Sequence, residues 1–111
     1  MSDNIEVVDE LKGTGIKYDE DKPRVAEFIA DFGDVLLELT KVWVFGATKY
    51  GISNWKHVKN GKMRFTNAMM RHYIAEAEKE TDDETGLLHA NHLAFNALMR
   101  LHFMLEEKKN K

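Results

Sequence analysis

Three stretches of the chain carry apolar residues at helical spacing, separated by segments too polar or too rich in glycine to continue a helix. From about Asp31 to Lys49, Val35, Leu39, Val42 and Gly46 fall at i, i+4, i+7 and i+11, and Leu36, Trp43 and Ala47 widen that face. Asp31 and Asp34 supply a start with negative charge at the helix N-terminus. From about 63 to 80, Phe65, Ala68, Met69, His72 and Ala75 form an inward stripe, with Arg64 and Arg71 almost above one another. From about 86 to 107 the pattern is apolar nearly all round. Leu87, Ala94, Leu98, Leu101 and Leu105 share a stripe beside Leu88, Phe95 and Met99, and Thr85 is placed to cap it. The pattern predicts an all-α bundle of three main helices, with the short 81–86 break making the second and third antiparallel neighbours.

The segments between are as informative. Residues 1–24 form a polar arm ending in KYDEDKPR, where Pro23 disfavours helix at Lys22, so a single all-α domain is expected over 25–111. GATKYGISNW breaks the first helix with two glycines, a cation, an amide and two aromatics. Such a loop can hold a base and a phosphate, although Tyr50 and Trp55 serve equally well to close the core. Asn60-Gly61 marks a tight turn.

Polar residues on the apolar faces carry the candidate chemistry. His72, Glu76 and Glu80 succeed one another at i, i+4 and i+8. His89, His92 and Asn96 recur at i, i+3 and i+7 on the third helix, where buried imidazoles and amides need partners. With the helices antiparallel, the Glu80 end of one lies beside the His89 and His92 end of the other. Either a shared cation or a buried polar network satisfies that arrangement.

At 111 residues, 43% hydrophobic and 32% charged, the chain suits one folded domain with a modest core. A net charge of -3 with both signs interspersed gives no basic field for duplex nucleic acid and no polybasic membrane anchor. No apolar run is long enough to span a membrane, and the acidic N-terminus does not read as a signal peptide, so a cytoplasmic protein is expected. The chain has no Cys, which restricts any metal to His, Asp, Glu or neutral oxygen ligands.

The blocks KYDEDKPR, FGATKYGISNW, RFTNAMMRH and DDETGLLHANHLAFNALM, in this order over residues 17–101, resemble the phage dATP/dGTP diphosphohydrolase family, whose members are compared with the MazG-type all-α NTP pyrophosphohydrolases. The resemblance implies a helical enzyme, usually oligomeric (a dimer or tetramer). It would act in the host cytoplasm if phage-encoded, hydrolysing a purine deoxynucleoside triphosphate to the monophosphate and pyrophosphate with Mg²⁺ or Mn²⁺. The implied catalytic residues are His72, Glu84, His89 and His92. The implied nucleotide-binding residues are Lys22, Arg24, Lys49, Tyr50, Asn54, Trp55, Arg64, Arg71 and Asn96. Because Mg²⁺ prefers oxygen, Glu80 and Asp82, with Glu76 or Glu38, are the expected metal ligands, and the histidines either support them or bind directly. The third helix departs from MazG-type enzymes in offering HxxH where those use paired acidic motifs. Two other classes fit the same residues: a nucleotide-sequestering protein without hydrolysis, and a helical adaptor with a buried polar network.

Overall fold

The structure is a computed structural model that describes residues 16–18 and 20–110. Expectations for residues 1–15 and for Asp19 fall outside the described residues. The chain divides into two units, Met1–Asp31 and Phe32–Lys111, each taken by itself.

In the first unit, Val25–Asp31 forms a short helix, α1. Val25, Phe28 and Ile29 lie at i, i+3 and i+4, a helical signal too brief to stand out beside Pro23. The Arg24 guanidinium Nε donates to Glu27 Oε1 at 2.7 Å across its first turn.

In the second unit, α2 spans Gly33–Tyr50, α3 Gly61–Glu76 and α4 His89–Lys109, with a single 3-10 turn at Asn54–His57. Three main helices in an all-α bundle match the hydrophobic pattern, but every boundary shifts. Asp31 closes α1, and the residue preceding α2 is Phe32, which makes no side-chain cap. The last bond of helix α2 runs from the Gly51 N–H to the Ala47 carbonyl at 2.9 Å, and the positive φ of Gly51, 101°, then turns the chain out of the helix. Asn60 adopts a left-handed conformation that launches α3 at Gly61, two residues before the expected start. Gly61 is buried with its α-carbon against the Phe103 ring, so the close approach of α3 and α4 starts at that glycine.

The largest departures lie between α3 and α4. Helix α3 ends at Glu76 rather than 80, and α4 begins at His89 rather than 86. The connector is an ordered loop pinned by its own backbone: an isolated bridge pairs Thr81 with Leu88, Asp82 N–H donates to Leu87 O at 2.7 Å, and His89 N–H to Glu80 O at 2.9 Å. Gly86, at φ 74°, makes the reversal possible. The Asp82 side chain accepts from the Thr85 N–H, a local bond that competes with helix and explains why Thr85 does not cap α4. Leu88 takes the position before α4, with no side-chain cap.

Helices α3 and α4 run antiparallel, as the contact order Lys62 to Glu107, Thr66 to Arg100 and His72 to His92 and His89 shows. Helix α2 meets α4 where Asn91 Nδ2 donates to the Glu38 carboxylate at 3.1 Å. Glu38 is also ion-paired with Lys41, which, followed by Asn91, lowers its pKa. Among the described residues the buried side chains are Met99 and four polar ones, His89, Asn91, His92 and Asn96. The innermost face of α4 is therefore polar along its N-terminal half. Leu98, Leu101 and Leu105, which the pattern turned inward, are about half exposed because α4 is apolar on more sides than its neighbours cover. No helix among the described residues is long and apolar enough to cross a membrane.

Candidate functional site

The polar face of α4, the end of α3 and the connector converge on a cluster of three imidazoles and one carboxylate. His72 and His92 stack with centroids 4.6 Å apart and planes 14° from parallel. His72 Nδ1 lies 2.8 Å from His89 Nδ1, so one of the two rings carries its proton there and the other accepts. Asp82 approaches His92 Nε2 at 3.8 Å. Among the described residues, one group of His and carboxylate side chains has ligand atoms all within 4.8 Å of one another: His72, Asp82 and His89.

Thr85 organises this cluster. Its hydroxyl lies 3.0 Å from Asp82 Oδ2, 2.7 Å from His92 Nε2 and 3.2 Å from the Leu87 N–H, which donates to it. A hydroxyl has one proton, and Asp82 can only accept, so that proton goes to Asp82. His92 must then donate from Nε2, which fixes its tautomer and leaves Nδ1 with a lone pair. Asp82 Oδ2 takes both Thr85 bonds, leaving Oδ1 without a hydrogen bond among the described residues.

Electrostatics follow from this packing. Burial pushes the His72 pKa down, and the neighbouring His92 and His89 add to that effect. His92 is likewise lowered by burial, with Asp82 opposing. Burial alone would raise the Asp82 carboxyl, but the Thr85 amide and hydroxyl outweigh it and hold the pKa below the usual carboxylate range. At neutral pH the Asp82 carboxylate thus faces uncharged His72 and His92 rings, a protonation state suited to cation binding.

A cleft of about 560 Å³ opens beside the cluster. His72, Asp82, Glu84, His92 and Asn96 line it from the α3 and α4 side. Lys49, Tyr50, Asn54 and Trp55 line it from the end of α2 and the following turn, and Arg64 and Arg71 from α3. Lys49 forms an ion pair with Glu84 at 2.8 Å, a contact that raises the Lys49 pKa. Trp55 also packs edge-on against Phe65, His102 and Phe103, with its indole N–H buried and without a hydrogen-bond partner among the described residues, so it serves the core as well as the cleft. Tyr50 is exposed and offers the freer aromatic face.

Not every expected residue joins this arrangement. Glu76 is exposed on the last turn of α3 and Glu80 is exposed in the connector, and neither belongs to the three-residue ligand group. The helical spacing of Glu80 to His72 lapses because α3 stops at Glu76, whereas Glu76 keeps its i+4 place on the last turn and is exposed there. Glu38 is likewise outside that group. His89 is buried behind His72 rather than lining the cleft. Lys22 and Arg24 belong to the N-terminal unit. Thr85, read from sequence only as a cap, is the residue that pattern reasoning missed. Its signal is the Asp82-x-x-Thr85 spacing, which favours a side-chain turn.

Residues 12–111 match the family model described as dATP/dGTP diphosphohydrolase, N-terminal. The chain belongs to that family. A dATP/dGTP diphosphohydrolase of Salmonella phage PMBT28 is 35% identical over 96 residues, which cover 86% of this chain and 31% of that protein. The chain therefore spans about a third of the length of the curated relative it matches. No solved structure gives a significant match. The dATP/dGTP diphosphohydrolase family model covers the whole of the described second unit, and with it every residue of the cleft.

Proposed function

We propose that the chain binds a purine deoxynucleoside triphosphate, dGTP or dATP, and hydrolyses it to the monophosphate and pyrophosphate in phage nucleotide-pool metabolism. The observation that carries this reading is the lining of one cleft by three cationic side chains, Lys49, Arg64 and Arg71, together with His72, Asp82 and His92. A triphosphate brings roughly four negative charges near neutral pH, and its cleavage depends on charge stabilisation and positioning rather than on covalent chemistry.

In this reading Lys49, Arg64 and Arg71 hold the phosphates, the two arginines by forked hydrogen bonds, and Tyr50 gives the base an aromatic face. Asn54 and Asn96 are the amides available to base or sugar. A divalent cation, held by Asp82 with His72 and His89, would supply positive charge to the polyphosphate and acidify a water. Uncharged His92, with its Nδ1 lone pair, is suited to take a proton from the attacking water, while Thr85 fixes the ring through Nε2. Glu84 faces the same cleft, bonded to Lys49. Water adds to phosphorus as the Pα–O–Pβ bridge breaks, and the leaving pyrophosphate keeps the bridging oxygen.

Self-association into a dimer or tetramer is part of the same reading, supported by the exposed apolar stripe of Leu98, Leu101 and Leu105. Incubation with dGTP or dATP and Mg²⁺ or Mn²⁺, followed by ³¹P NMR, tests the chemistry. Monophosphate and pyrophosphate are expected, with turnover lost in His92→Ala. Tight binding with no new phosphorus resonance would replace the enzyme with a nucleotide-sequestering protein.

A further inference from the structure

We infer that His72, His89 and Asp82 bind a divalent transition ion of the Mn²⁺, Fe²⁺, Co²⁺ or Zn²⁺ class directly, in preference to Mg²⁺. The donor set is two imidazoles and one carboxylate, whereas Mg²⁺ takes oxygen ligands and the acidic residues that would provide them, Glu76 and Glu80, stand outside the group. Two histidines and one carboxylate with open positions are instead the pattern of transition-ion sites.

The geometry of the ring nitrogens points the same way. His72 Nδ1 and His89 Nδ1 face each other at 2.8 Å. Ligands at adjacent positions of an octahedral ion with nitrogen bonds of about 2.1 Å are roughly 3 Å apart, so the separation of the two nitrogens already matches such an edge, and each ring turns by roughly 45° to aim its lone pair at a common centre instead of at the other ring. Without an ion, one ring must adopt the Nδ1–H tautomer to avoid opposing lone pairs; with one, both rings present lone pairs to the same centre.

The third ligand is prepared by its neighbours. Thr85 occupies Asp82 Oδ2 through its amide and hydroxyl, at 2.9 and 3.0 Å, and leaves Oδ1 for the ion. Carboxylates oriented by hydrogen bonds in this way are typical of built metal sites. Drawing ligand atoms that lie within 4.8 Å of one another onto one ion requires roughly 1–2 Å of movement, which the connector can supply by carrying Asp82 and Thr85 together so that their bonds are kept.

The reading of the cleft as a hydrolase supplies the need for a cation but does not decide which one. Metal binding is therefore measured without nucleotide. Titration of the chain with Co²⁺, followed by visible absorption, is expected to give ligand-field bands of a nitrogen-containing coordination sphere, and calorimetry should show Mn²⁺ bound at least about tenfold more tightly than Mg²⁺. Asp82→Asn, which keeps the Thr85 bonds, should weaken Co²⁺ binding by about tenfold or more, while Glu76→Gln and Glu80→Gln should leave it unchanged. Circular dichroism of each variant separates lost binding from lost fold. Absence of Co²⁺ bands in the unaltered chain, equal affinity for Mg²⁺, or Co²⁺ binding abolished by Glu80→Gln but not by Asp82→Asn would each overturn the assignment. Metal binding without nucleotide cleavage would keep the site and remove only the hydrolase reading.

Discussion

Lys49 at the end of α2 and Glu84 in the connector between α3 and α4 are joined by a 2.8 Å ion pair, and both line the cleft that holds the histidine cluster. The cation that a triphosphate would meet is thus already engaged, and an incoming phosphate must compete with Glu84. Lys49→Ala is expected to weaken dGTP and dATP binding about tenfold while leaving the melting temperature unchanged, because the pair is solvent-exposed. Glu84→Gln should have the opposite effect on binding by releasing Lys49. Calorimetry with a non-hydrolysable analogue measures both, and unchanged affinity in Lys49→Ala would remove it from the phosphate site.

Thr85→Val keeps the side-chain shape but removes a hydroxyl that bonds Asp82 and His92 and accepts from Leu87. The variant should lose about 1–3 kcal/mol of stability, since buried His92 and the part-buried Asp82 carboxylate and Leu87 N–H each lose a partner. Turnover should fall about 10- to 100-fold, as for other residues that orient a ligand. Chemical denaturation and steady-state kinetics on Thr85→Ser, which restores the hydroxyl, should show recovery of both.

The pH dependence of stability has a definite sign. His72 and His92 are held below the ordinary value of 6.5 in the fold, so between that value and their folded values the unfolded chain binds more protons. Their contribution is complete above about pH 6.5 and is lost as pH falls through the folded values. Asp82, also lowered, adds a second loss of the same sign beginning near its ordinary value of 3.8. Melting temperatures of the metal-free chain should therefore decline from pH 7 toward 5, and His92→Gln should flatten that slope. A melting temperature that rises on acidification over this interval would contradict the neutral-imidazole arrangement.

Gly61 sits where any β-carbon would collide with the Phe103 ring. Gly61→Ala should destabilise the chain by about 1–3 kcal/mol through overpacking, a larger effect than the helix propensity alanine brings. The double variant with Phe103→Leu should regain part of the loss in a denaturant titration, and an additive effect of the two substitutions would disprove the contact.

Leu101 is half exposed, between Leu98 and Leu105 on α4. Leu101→Glu should convert a dimer or tetramer to monomer in sedimentation velocity without loss of helix signal. A monomeric unaltered chain would dispose of self-association through this face.

Much of the bundle is legible from spacing, because the apolar positions of 33–50, 61–76 and 89–109 repeat at helical intervals and Asn60-Gly61 announces its turn. That the end of α3 meets His89 and His92 was also readable, since antiparallel neighbours joined by a short connector must come together there, but the spacing put Glu80 at that meeting point where the structure has His72. Periodicity failed where local hydrogen bonds overrode it. It carried α3 through Glu80 and started α4 at Gly86, whereas Asp82, Thr85 and Gly86 close a loop on themselves, and the metal candidates move from Glu76 and Glu80 to His72 and His89 beside Asp82. It failed again on α4, where apolar residues on several faces left no way to tell that Leu101 and Leu105 would be exposed. Only the number and placement of neighbouring helices decide that.

The connector pinned by the Thr81–Leu88 bridge also bears on the order in which the molecule assembles. His72, Asp82 and His89 come from one continuous stretch, so bringing them together closes only a short loop, a small entropic cost. Lys49 joins them from α2, on the far side of the 3-10 turn, and needs a longer closure. Contacts local in sequence form fastest. The histidine–aspartate cluster is accordingly expected to form early in folding and the cleft that Lys49 completes late, so a metal ion captured by the α3–α4 hairpin would act as a nucleus onto which α2 docks.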